Sequence, residues 1–201
     1  MSQLGPKAGE TLQLFQDTGA YLTGHFRLTS GKHSPNYLQS ALVLQHPAHA
    51  ETLGKGLAAK LQELAGSAKI DLVVAPALGG LIIGHEVARA LGVPFQFTER
   101  DADRKMSLRR GFEIHSGTAV VVVEDVITTG GSTREVIEIM EAKGAKVLAA
   151  GSIIDRSGGA ADVGAPRTAL ETLHVVAYEP ATCPLCAGGS VAEKPGSRPT
   201  S

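Results

Sequence analysis

The hydrophobic pattern alternates between two periods. Leu53, Leu57, Leu61 and Leu64 recur at helical spacing; Pro47 can open that helix and Gly66 stops it. Helices are likewise expected over residues 9–18, ending at Gly19, and over 81–91, with Gly92 just beyond. A fourth, over 132–143, has Ser132 or Thr133 as its cap and Gly144 as its stop, with Val136, Ile137 and Met140 inward and Arg134, Glu138 and Glu141 toward solvent. Short apolar runs at 70–75, 93–98, 120–123, 146–154 and 173–178 read as strands. Val120, Val121, Val122 and Val123 are β-branched toward both faces, which suits a strand buried on both sides of a parallel sheet. Aromatics and alternation at 21–28 and 37–44 suggest two further extended segments around the turn SGKHSP. Strands alternating with helices predict an α/β fold, a right-handed, doubly wound parallel sheet with flanking helices.

Composition narrows the class. A chain of 201 residues with 43% hydrophobic content can bury one well-formed core, expected over residues 1–186. The closing stretch 187–201, AGGSVAEKPGSRPTS, is small, polar and rich in Pro and Gly, and reads as a mobile tail unless something binds it. A formal net charge of −1 argues against a nucleic-acid or membrane surface. No apolar run approaches bilayer length and MSQLGPKAGE holds no signal-like apolar core, so a cytoplasmic protein is the expectation.

The chemistry concentrates after the four valines. Glu124 and Asp125 stand where that strand should end, followed by Val126, Ile127, Thr128, Thr129, Gly130, Gly131 and Ser132. Glycines let backbone N–H groups turn toward an anion, the hydroxyls donate further bonds, and the following helix dipole favours negative charge. The two acids would repel a phosphate, so their partners are sugar hydroxyls or a metal ion. Together the stretch suits a phosphorylated sugar. It is not a P-loop, since no GxxxxGK[ST] occurs, and no GxGxxG follows the strand.

Other clusters are less specific. The turn APALGG brings Gly79 and Gly80 to a strand's carboxyl end, where backbone donors could meet a pyrophosphate. The connection ERDADRKMSLRRGFEIHSG mixes Arg100, Arg104, Lys105, Arg109 and Arg110 with acids and is long for a βα link. It reads as a lid offering cations to a departing anion; the alternative is a solvated hairpin whose charges pair with each other. Arg156, after the strand 146–154, could grip a planar carboxylate bidentately or simply pair with Asp155 or Asp162. Cys183 and Cys186 are at most half of a zinc site, needing distant histidines or a second subunit to complete it; a structural turn is the expected role. No histidine is assigned catalysis.

These stretches resemble the type I phosphoribosyltransferases, and over nearly the whole chain the orotate phosphoribosyltransferase family. The resemblance rests on LTSGKHSPNYLQ, LGGLIIGHEVARALGVPF, ERDADRKMSLRRGFE and VVVVEDVITTGGST. It implies phosphoribosyl pyrophosphate (PRPP) and orotate as substrates, Mg²⁺ as cofactor, a hood formed by residues 1–46, and a homodimer whose flexible loop closes over the neighbouring subunit's site. By position, Glu124 and Asp125 hold the ribose, Val126 to Ser132 line the 5-phosphate loop, and Gly79 and Gly80 sit at the pyrophosphate. Arg100 and Lys105 join the two acids as catalytic residues, Thr128, Arg156 and Tyr37 touch orotate, and no protein side chain is assigned directly to the metal. Many relatives carry lysines where this chain has Thr29 and Gly79, so loop arginines are expected to assume part of that role.

The implied reaction joins orotate to PRPP, giving orotidine 5-monophosphate and pyrophosphate in pyrimidine synthesis. A purine phosphoribosyltransferase would share the PRPP site without a carboxylate grip. A non-catalytic PRPP-sensing regulator would usually bring a nucleic-acid-binding part, and no helix-turn-helix extension is present.

Overall fold

Residues Ala119–Ile127 form an interior strand of a six-stranded sheet, and the functional elements are placed relative to it. The computed structural model describes residues 5–6, 9–28 and 30–195. In chain order the elements are α1 (Glu10–Asp17), β1 (Tyr21–Arg27), β2 (His33–Leu38), α2 (Ser40–Leu44), α3 (Pro47–Ala65), β3 (Leu72–Pro76) and α4 (Gly80–Leu91). They continue with β4 (Phe95–Arg100), β5 (Met106–Leu108), β6 (Ala119–Ile127), α5 (Gly131–Ala142), β7 (Lys146–Asp155), β8 (Arg167–Thr172) and α6 (Pro184–Ala187). The sheet runs β5-β4-β3-β6-β7-β8 and is parallel except for β5, which turns back antiparallel on β4. β1 and β2 form a separate hairpin.

The valine run serves both faces of the sheet because side chains alternate along a strand. Val121 and Val123 join Val73, Ile83, Leu53 and Leu57 in a core beneath α3 and α4, whereas Val120 and Val122 join Val74, Val136, Ile137 and Met140 beneath α5. All four valines are fully buried, each contributing on the order of 1.5 kcal/mol or more relative to exposure. Helices on both faces thus follow from a strand with no polar side. Among the described residues no helix is long and apolar enough to cross a membrane.

Four expectations are corrected. The extended segment 37–44 splits after Leu38: Ser40, Val43 and Leu44 are buried together at i, i+3, i+4 spacing, so SALVL closes a helical turn instead of continuing the strand. The strand expected at 173–178 lies earlier, at β8, an edge strand with partly buried residues throughout most of its length. The chain leaves the sheet at Leu173, whose N–H donates to the Asp155 carbonyl, and only single bridges at His174 and Tyr178 follow. β6 extends through both acids to Ile127, because its pairing with β7 continues to Asp155. α5 begins at Gly131 with Gly130 as its cap, and no side chain caps it.

The end of the chain returns to the hairpin. Glu193 donates its N–H to the His25 carbonyl, and its own carbonyl accepts from Arg27, so this part of the tail lies on β1. The expectation for Thr29 and for the last six residues falls outside the described residues.

Candidate active site

The carboxyl ends of β3, β6 and β7 share one edge of the sheet. β6 delivers Glu124 and Asp125 there on opposite sides of the strand. Glu124 is buried and its Oε1 accepts the N–H of Asp125 at 3.1 Å; Asp125 is partly exposed and its Oδ1 accepts the N–H of Val126 at 2.8 Å. Burial, and secondarily the neighbouring Asp125, push the Glu124 carboxyl well above its ordinary range. Among the described residues no Lys or Arg forms an ion pair with either acid, so their charge is left for something outside the chain.

Asp125 faces the APALGG turn. A Cβ built on Gly79 would stand 2.7 Å from Asp125 Oδ1, so the carboxylate occupies the space a side chain at this position would need. Gly80 is pressed against Ala75 and the Val123 carbonyl, bringing the start of α4 onto β3 and β6. The sugar-type acids and the candidate pyrophosphate turn are therefore adjacent, as the sequence implied.

Thr128 and Thr129 are exposed in the loop after β6, and Gly130 follows at φ 81°. That left-handed conformation favours glycine, and a Cβ would also meet Val163 at 2.8 Å. With no side-chain acceptor at the cap, the first-turn amides of α5 are available to an external anion.

Next to this loop the Arg156 N–H donates to the Ile127 carbonyl, which fixes Arg156 beside Thr128. The ion-pair alternative for Arg156 is removed: Asp155 is held by Arg167, and Asp162 by Arg134 at 2.8 Å. Burial lowers the Arg156 pKa, while Tyr37 and Tyr21 act in the opposite sense. The hairpin of β1 and β2 thus brings Tyr37 to Arg156. Tyr21 is a second aromatic there that sequence reasoning missed; its signal was the pair of tyrosines at the far end of a hairpin, with Leu22 opposite Tyr37.

The charged connection takes the hairpin form. Asp101 closes its tip: its N–H donates to the Lys105 carbonyl, its carbonyl accepts the Arg104 N–H, and its carboxylate accepts the Lys105 N–H at 2.9 Å. Arg100 reaches Glu135 on α5 at 2.9 Å and the Arg104 carbonyl at 2.7 Å. Glu99 is met by Arg110 at 2.8 Å, and Arg110 also lies over the Phe97 ring, against which Phe112 packs edge-on at 5.3 Å. LRRGFE thus anchors the base of the hairpin, while Lys105 is exposed at the tip. A surface cavity lined by Gln62, Ile70, Leu91 and Pro94 opens at the amino ends of β3 and β4, the opposite edge, and has no part in this constellation.

Residues 42–177 match the phosphoribosyl transferase domain family. The chain is 54% identical to the orotate phosphoribosyltransferase of Pelotomaculum thermopropionicum, over 94% of this chain and 97% of the relative. Its fold is similar to the crystal structure of orotate phosphoribosyltransferase from Aeropyrum pernix, with a TM-score of 0.66 and 26% identity over 80% of this chain and 92% of that one. An adenine phosphoribosyltransferase from Saccharomyces cerevisiae shares the fold too, with a TM-score of 0.59 and 22% identity over 79% of this chain and 99% of that one.

Proposed function

The chain belongs to the phosphoribosyltransferase family, among the orotate phosphoribosyltransferases, and on that premise we propose that it transfers the phosphoribosyl group of PRPP to orotate. The products are orotidine 5-monophosphate and pyrophosphate, in cytoplasmic pyrimidine nucleotide synthesis. The observation that carries the choice of base is Arg156: half-buried, without an acidic partner among the described residues, and beside Tyr37 and the Thr128 loop. A base bearing a carboxylate supplies the missing counter-charge. A purine does not.

PRPP lies with its 5-phosphate on the amides of residues 129–132, its ribose hydroxyls on Glu124 and Asp125, and its pyrophosphate toward Gly79 and Gly80. In the reaction the N1–C1 bond forms, the C1–O bond breaks with its electron pair leaving on pyrophosphate, and the N1 proton passes to an oxygen of the departing pyrophosphate. As the C1–O bond lengthens the ribose gains positive charge, which the acids of β6, unpaired among the described residues, stabilise. Arg156, Thr128 and Tyr37 hold orotate by its carboxylate with N1 against C1, so positioning supplies much of the rate, with the pyrophosphate oxygen as the proton acceptor. The acids fit a hard divalent cation bound with the substrate, since they offer oxygen only and no protein cation competes. Glu124 and Asp125 would hold Mg²⁺ together with the substrate, where it would supply neutralisation of the charge that develops on the leaving group.

Lys105 and Arg100 are the remaining cations. In the active homodimer the hairpin tip brings Lys105 over the neighbouring subunit's pyrophosphate, and Arg100 exchanges Glu135 for that anion. Steady-state kinetics of Arg156→Ala test the base assignment. A charge-assisted bond is worth roughly 1.5–3 kcal/mol, or about ten- to a hundredfold. Orotate KM should rise by that factor with PRPP KM nearly unchanged, and uracil and adenine should be poor substrates throughout. Equal weakening of PRPP and orotate would make Arg156 a scaffold residue.

A further inference from the structure

The CPLC segment stands apart from the chemistry above, and the fold completes it. The segment enters through a 3-10 turn, Pro180–Thr182, and Cys183 caps the one-turn helix α6 that carries Cys186. The hairpin of β1 and β2 supplies two histidines, His25 beside the bulge in β1 and His33 at the start of β2. His25 Nε2 and His33 Nδ1 are 3.0 Å apart; Cys186 Sγ lies 3.3 Å from His33 Nδ1 and 3.8 Å from His25 Nε2, and Cys183 Sγ lies 3.6 Å from His25 Nε2. All four atoms fall within 4.8 Å of one another, and three of the four residues are buried.

We propose that His25, His33, Cys183 and Cys186 form a closed structural zinc site joining the β1–β2 hairpin to the C-terminal segment. A tetrahedral ion with bonds of about 2.3 Å to sulfur and about 2.0–2.1 Å to nitrogen has ligand-to-ligand edges of roughly 3.3–3.8 Å. The four separations given above, 3.0–3.8 Å, match that polyhedron to within a few tenths of an ångström, and the 4.8 Å span of the whole set closes on it with a small side-chain adjustment. The set is also the right chemistry: two thiolates and two neutral imidazoles neutralise one divalent ion, so the cluster can be buried with no further counter-ion. The outer partner is in place as well. His25 Nδ1 lies 3.1 Å from the Ser190 carbonyl, which accepts its N–H and leaves Nε2 with the lone pair a metal needs. With four protein ligands there is no open position, so the role is structural. The ion fastens SGKHSP and, four residues after His33, Tyr37, which makes it a device for holding the hood over the base.

The test uses the full chain, purified with reductant and dialysed to remove loosely held ions, with metal measured by plasma mass spectrometry. About one zinc per chain is expected in the parent, and below about 0.2 in Cys183→Ser/Cys186→Ser and in His33→Ala. Metal-free parent should develop the intense visible bands of thiolate-bound tetrahedral cobalt on adding Co²⁺, a readout that needs no variant to fold. Stripping zinc should lower Tm by at least about 5 °C, recovered on adding zinc back. Absence of zinc together with no cobalt spectrum overturns the proposal, as does a Cys183–Cys186 disulfide in place of the metal or full zinc content in the double cysteine variant.

Discussion

The carboxyl ends of β6 and β7 are neighbours, paired residue by residue as far as Ile127 and Asp155, yet they treat charge in opposite ways. At the end of β7, buried Asp155 is answered from within the chain. Burial pushes its carboxyl up, but the Ser157 hydroxyl and amide and the Arg167 guanidinium outweigh that and leave it below its ordinary value. At the end of β6, Glu124 is buried too and has no cation among the described residues, so burial dominates and its carboxyl rises. One residue past Asp155 the sign reverses: Arg156 is half-buried without an acid among the described residues. A charge matched inside the chain holds the fold, whereas an unmatched one is left for a partner outside the chain. The edge therefore separates scaffold from site by pairing, more than by residue type or position.

The largest test of that contrast is Asp155→Asn. Removing one member of a buried ion pair typically costs about 3–5 kcal/mol, because Arg167 is left uncompensated. Denaturant unfolding should register that loss, and Tm should fall by about 10 °C. A change of less than about 1 kcal/mol would mean that pairing at β7 is incidental.

Asp125→Asn should do the reverse. With no cation to orphan, Tm should stay within about 2 °C of the parent, while kcat falls at least about a hundredfold from lost stabilisation of the ribose charge. Pyrophosphate release and thermal melting on one preparation decide it. Stability falling as far as in Asp155→Asn would place both acids in the scaffold.

The smallest effect is also the sharpest in sign. Because the Glu124 pKa is raised above its ordinary 4.5, the ligand-free protein and the unfolded chain are both protonated there below about pH 4.5, and burial costs nothing. As pH climbs through the raised pKa, stability is lost. Glu124→Gln removes that loss, so it should match the parent near pH 4 and exceed it near pH 7.5 by about 1 kcal/mol, or roughly 2–4 °C. Melting curves across that range give the difference; one that is flat or shrinks with rising pH would show that Glu124 is not carrying an uncompensated burial cost.

Much of this was legible along the chain. The valine run, the leucines of α3 and the glycine after the threonines specify a buried strand, a helix and an anion-ready turn through local sterics and periodicity, which act over a few residues. The acidic pair and TTGGST stand out as the candidate ribose-phosphate site for the same reason: their chemistry is contiguous. Misreadings arose where two local signals competed, as in SALVL, whose alternation suggested a strand and whose i, i+3, i+4 burial made a helix. They arose also where a more apolar stretch, 173–178, outshone the true edge strand at β8.

Pairing was not legible, because it is settled by contacts between residues far apart in the chain. Sequence offers Arg156 two nearby acids; only the packed edge shows both taken, by Arg167 and by Arg134. Sequence likewise offers two cysteines with no partners. His25 lies 158 residues before Cys183, and no periodicity links them. The fold joins them because α6 and the strand-like return of Glu193 onto β1 carry the end of the chain back over the hairpin, and that closure is paid by burial and backbone pairing across the whole domain.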